Sequence, residues 1–172
     1  MAITLDATVG GTDSNSYVTL DEADTYFLSR ANSSEWSNIT DDEVKKSLLI
    51  SATDRVSLEK FDGFLSNTSQ ALTFPRTDLP LIDGRDVDNI IPKTIKRAVY
   101  ELAIHMVSVD ISKPDLNDLP IEQLSVGSIS LKYKIDKNDN ASHSSQDLPP
   151  LVLYLLDDLS YTAGNGAMTI YR

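Results

Sequence analysis

The stretch Pro92-Lys93-Thr94-Ile95-Lys96-Arg97-Ala98-Val99-Tyr100-Glu101-Leu102-Ala103-Ile104-His105-Met106-Val107 decides the fold class. Proline has no amide hydrogen to lose at the start of a helix, so Pro92 suits a first helical turn. Ile95, Ala98, Val99, Leu102, Ala103, Met106 and Val107 then recur at three- and four-residue spacing and form one apolar stripe. Lys93, Arg97, Glu101 and His105 follow one another at i, i+4 on the other side. The pattern predicts a helix over 92–111, stopped before Pro114.

Two further helices are expected upstream. Thr19 and Glu22 have capping-box spacing, and Ala23, Tyr26, Phe27 and Arg30 continue a helix over 20–31. Thr40 and Glu43 repeat that signal, with Ile39 and Val44 as a hydrophobic staple and Asp41 and Asp42 on the positive end of the dipole. Val44, Leu48, Ala52 and Val56, with Leu49 beside them, supply the expected buried stripe of a helix over 41–59. Ile3-Thr4-Leu5 reads as a short strand, and Leu72-Thr73-Phe74-Pro75 as an edge strand in the irregular stretch 60–91.

Downstream, Leu124 and Val126 alternate with polar neighbours, as do Ile129, Leu131, Tyr133 and Ile135. The phase slips at Gly127-Ser128, where a bulge or tight turn restores the faces, so a β element is expected over 123–135. Pro149 and Pro150 open a fourth helix over 148–159. The predicted fold is mainly α: a helical bundle with a small β-hairpin, residues 1–159, and an extended C-terminal tail, residues 160–172.

Composition narrows the chemistry. The 172 residues fit one domain with an apolar core. Cysteine is absent, which removes disulfides, thiolate catalysis and cysteine-held metals. No basic start and apolar core of a signal peptide opens the sequence, and no apolar run approaches the roughly 20 residues of a membrane span. The formal net charge of −11 opposes phosphate binding; the basic residues cluster only at Lys93, Lys96 and Arg97. Plain solvated surface explains the same charge equally well.

No phosphate-loop, dinucleotide, nucleophile-elbow or zinc-helix motif is present. His105 reads as a surface residue beside Glu101 rather than a general base. Asp136, Asn138, Asn140 and Asp147 fall at calcium-loop spacing, but Ala141 stands where the sharp turn needs glycine, and Asp147 is shorter than the usual bidentate Glu. That segment reads better as a turn-rich loop. Neither an enzyme nor a cofactor is expected.

Three segments in order carry a resemblance. They are Asp13-Ser14-Asn15-Ser16-Tyr17 leading into Asp21-Glu22-Ala23-Asp24-Thr25-Tyr26, then Gln70-Ala71-Leu72-Thr73-Phe74-Pro75-Arg76-Thr77, then Ile91 through Ala103. The pattern resembles phage and prophage proteins labelled DnaT-like single-stranded-DNA-binding proteins, which are similar to the head-to-tail connector adaptors of long-tailed phages. It departs in having Phe74 where the pattern has Trp.

The resemblance implies a homo-oligomeric, twelve-membered ring in the virion neck, made in the host cytoplasm. Such a ring sits under the portal protein, seats the next neck or tail connector, and lets double-stranded DNA pass without sequence preference; no membrane is involved. On that reading Lys93, Lys96, Arg97 and Glu101 are candidates for contacts between subunits. Tyr161, Met168, Ile170, Tyr171 and Arg172 form a candidate portal-docking tail that adds a strand to its partner, with a frayed terminus as the alternative. Literal single-stranded-DNA binding, with Tyr17, Tyr26, Trp36 and Phe74 as stacking platforms, is the competing expectation.

Overall fold

The computed structural model describes residues 2–82, 84–108 and 148–160, together with the strands at 123–126 and 129–132. Its helices are α1 (Leu20–Ser29), α2 (Ser34–Ser37), α3 (Asp42–Ser57), α4 (Lys93–Ser108) and α5 (Pro150–Leu156), the last followed by a 3-10 turn, Asp157–Leu159. Two small antiparallel pairs accompany them: β1 (Phe64–Leu65) with β2 (Arg76–Thr77), and β3 (Gln123–Val126) with β4 (Ile129–Lys132). The mainly α fold with a β-hairpin follows the sequence expectation, and Val126 faces Ile129 across the phase slip.

α4 is the central element. Every residue from Ala98 to Ile104 is buried, so this stretch is enclosed on all sides rather than along one stripe. α3, α5 and α2 all pack against it. Glu101 therefore lies inside, 7% exposed, and not on the polar face that the i, i+4 spacing suggested. Two-helix periodicity assumes one wet face; a helix surrounded by neighbours has none over its middle turns.

α1 forms as expected, two residues shorter. Thr19 Oγ1 accepts from Glu22 N at 3.2 Å while Glu22 Oε2 accepts from Thr19 N at 3.0 Å, completing the capping box. Ala23 and Phe27 are its buried positions.

α3 differs from its expectation at its start and in its phase. Asp41, not Thr40, caps it, accepting from Glu43 N at 2.9 Å. Glu43 is engaged elsewhere, by the Ile3 amide and by Lys46 Nζ at 2.7 Å, so it does not reach back to close a box. The buried set is Leu49, Ala52, Thr53 and Val56, and Val44 is 46% exposed. A strict four-residue series drifts about 40° per step on a helix of 3.6 residues per turn, so Val44 and Val56 could not share one face.

Three further differences concern short segments. Ile3-Thr4-Leu5 is not a strand: Asn15 Nδ2 donates to Thr4 O at 2.8 Å, and Asn15 Oδ1 accepts from Asp6 N at 2.8 Å, so a side chain does the work of a partner strand. The pairing near Pro75 falls on Arg76–Thr77, after the cis Phe74-Pro75 peptide, while Phe74 turns inward against Tyr17 and Phe61. α2 was not expected in the polar run after Asn32. It exists because Trp36, 2% exposed, stacks on Phe27 at 4.5 Å and donates Nε1 to Asp24 Oδ1 at 2.8 Å.

α5 packs against α4. Val152, Leu155 and Leu156 are buried, and Leu159 closes the core beyond the helix. Asp62 N donates to Leu159 O at 3.0 Å, and Ser160 bridges Phe61, which ties this end of the chain to the segment after α3.

Candidate functional site

A polar cluster joins α1 and the residue that caps it to α4. Glu101 Oε1 and Oε2 accept from Arg30 Nε and Nη2, each at 2.8 Å, a bidentate geometry that suits the guanidinium fork. Tyr26 OH donates to Glu101 Oε1 at 2.6 Å. Burial pushes the Glu101 carboxyl up, and the bonds from Arg30 and Tyr26 outweigh it and hold the group below its ordinary value. One turn away, Lys96 Nζ donates to the capping Glu22 at 2.7 Å, and Tyr26 stacks on Tyr100 with ring centroids 4.6 Å apart.

Beside this cluster lies an open cleft of about 380 Å³, lined among others by Arg30, Glu35, Glu101, His105 and Leu151. It offers little to a substrate. Both Glu101 oxygens are taken, and the remaining Arg30 nitrogen donates to the carbonyls of Ala31 and Asn32. The Glu101–His105 pairing expected from the sequence is not made. No group of three or more His, Cys, Asp or Glu that could hold a metal occurs among the described residues. No described helix is long and apolar enough to cross a membrane.

The other expected site residues fall as follows. Lys93 and Arg97 are exposed at the start of α4, and Lys96 is half-buried in its ion pair with Glu22. Glu101 is engaged inside its own subunit. Tyr161, Met168, Ile170, Tyr171 and Arg172 lie outside the described residues, as do Asp136, Asn138, Asn140 and Asp147 of the calcium-like spacing.

The proposed stacking platforms are occupied by the core. Tyr17 and Phe74 are each 1% exposed, Trp36 is buried against Phe27, and Tyr26 is half-buried with its hydroxyl on Glu101. Five of the described cations are engaged as well: Arg30 by Glu101, Lys45 by Asp24, Lys46 by Glu43, Arg55 by Glu59 and Lys96 by Glu22.

The residues that carried the family resemblance hold backbone. Arg76 donates to the carbonyls of Asp62 at 2.6 Å, Gly63 at 2.7 Å, Phe61 at 3.2 Å and Thr73 at 3.3 Å. Gln70 Nε2 donates to Leu72 O and Pro75 O, and its Oε1 accepts from Asn67 N. Tyr17 OH lies 2.6 Å from Thr73 Oγ1 and 2.8 Å from Ser57 Oγ, fastening the first motif to the second. Sequence reasoning had no signal for this arrangement, because a side chain that serves a distant carbonyl leaves no periodicity.

Residues 1–172 match the model of the family described as "Putative DnaT-like ssDNA binding protein". The chain belongs to that family. No curated protein and no solved structure matches it. The DnaT-like family match spans both the motif-bearing loops and the helices that they secure.

Proposed function

We propose that this chain is a structural head-to-tail adaptor of a tailed phage. It assembles as a ring, twelve-membered by the resemblance, beneath the portal, and joins it to the next neck or tail connector while double-stranded DNA passes through. One observation carries the reading: the candidate stacking aromatics and five of the described cations serve the subunit itself, while several large apolar side chains face outward on a chain with an excess of acids. Phe64 is 70% exposed, Leu28 86% and Tyr154 79%, against a net charge of −11. Such a surface suits protein partners and repels phosphate. Repeated round a ring, the negative charge favours a channel that DNA crosses without sticking.

The test is quantitative mass spectrometry of purified virions from the source phage, comparing this chain with the portal protein. A copy ratio near one supports the adaptor reading; absence from virions overturns it. A second reading, single-stranded-DNA binding, is favoured by the description of the family. It requires aromatic platforms beside free cations. Salt-sensitive binding of an oligonucleotide by a chain absent from virions would establish that reading instead.

A further inference from the structure

α5 is Pro150-Leu151-Val152-Leu153-Tyr154-Leu155-Leu156, a helix without one charged or amide side chain. Its inner face packs against α4 through Val152, Leu155 and Leu156. Its outer face is equally apolar, yet Leu151 is 46% exposed, Leu153 36% and Tyr154 79%. A surface helix of a soluble protein carries polar groups on its outer side, and one that is apolar all round belongs in an interior. The acids that follow it, Asp157 and Asp158, are exposed at the end of that outer face. The patch is therefore apolar along its length and negative at one end.

A surface of the opposite sign occurs elsewhere on the same chain. At the entry to α4, Ile90 is 49% exposed, and Lys93 and Arg97 stand exposed one helical turn apart. Among the described residues Lys93 forms no ion pair, whereas Lys96 beside it is held by Glu22. The two patches differ in place and complement each other in charge and polarity. That is what a head-to-tail contact needs, because each copy must present two unlike faces.

We infer that the outer face of α5 docks on a second copy of this chain, at the start of the neighbour's α4. Leu151, Leu153 and Tyr154 cover the apolar ground at Ile90, and Asp157 and Asp158 meet Lys93 and Arg97. The inference rests on the ring reading and adds to it the two surfaces that meet.

Sedimentation velocity of the full chain at rising concentration, at low salt, tests it. Wild type associates as concentration rises. Asp157→Lys with Asp158→Lys, and separately Lys93→Glu with Arg97→Glu, each weaken association by at least about tenfold, because like charges now face each other. An equimolar mixture of the two variants associates again, since every contact in it pairs opposite signs. Circular dichroism confirms that both variants are folded.

Wild type that stays monomeric throughout overturns the inference, as does a mixture no better than its components. Loss of association in Leu151→Glu with Tyr154→Glu, but in neither charge variant, would mean that α5 meets α5, and also overturns it. Failure here is separate from failure of the adaptor reading: a chain present at portal stoichiometry whose charge variants enter virions normally refutes this pairing alone.

Discussion

Replacing Arg30 by Met removes one partner of a carboxylate that the fold keeps 7% exposed. Taking one partner from a buried pair costs about 3–5 kcal/mol, because the other charge stays behind without compensation. Arg30 is itself 28% exposed, and the Tyr26 bond to Glu101 survives, so the expected cost is lower. We place Arg30→Met at about 2–3 kcal/mol on this discount. With a urea slope of about 2 kcal/mol/M, the unfolding midpoint falls by about 1.2 M.

Trp36 is the only tryptophan and is buried, so its fluorescence reports the transition. The pH dependence makes the test sharper. Glu101 lies below its ordinary value of 4.5 in the folded wild type, so its stabilising contribution is present above 4.5 and lost as pH falls through the lower folded value. In Arg30→Met the lowering by Arg30 is gone, so the carboxyl lies higher than in wild type and acid costs that variant less. The gap between the two proteins narrows as pH falls from neutral to below 4.5. A cost under about 0.5 kcal/mol at neutral pH, the range of ordinary surface substitutions, would refute the account.

Other outcomes follow from the same contacts. Gly63→Ala puts a Cβ 2.2 Å from Thr77 O at φ +72°, while Gly84→Ala meets nothing within 4 Å at φ +73°. The first should cost more than about 2 kcal/mol and the second about 1 kcal/mol, read from urea midpoints. Arg76→Lys trades a fork serving four carbonyls for a point charge and should cost about 2–3 kcal/mol by the same assay. Fluorescence anisotropy with an oligonucleotide at low salt should show no binding at micromolar protein; a strong, salt-sensitive rise would favour the DNA-binding reading.

How much the sequence disclosed varies with the kind of signal. α1 and the β3–β4 hairpin were legible because a capping box and a two-residue alternation are local codes. The existence of α4 was legible too, but the placement of Glu101 was not. Spacing says which residues share a face, and only the packing of α1 against that face says whether it is wet. α2 escaped because a four-residue helix has no period to detect; a lone tryptophan among Ser, Glu and Asn was the one available hint. The acidic balance was plain in the composition, whereas the pairing of Arg30, Lys45 and Lys96 with carboxylates distant in sequence requires three dimensions. The apolar outer face of α5 could have been read directly from its seven residues.

Asn15 and Arg76 grip main chain at a distance in sequence, and Gln70 grips it within its own loop, so the three act as stitches in the path of the loops. A stitch is indifferent to what the finished surface meets. A chain could exchange the outward residues of α5 or the start of α4 without loosening any of these three. Likeness recognised through such positions transmits an outline, while on the docking proposed above the choice of companions would fall to the outer face of α5, in residues that this outline leaves free to change.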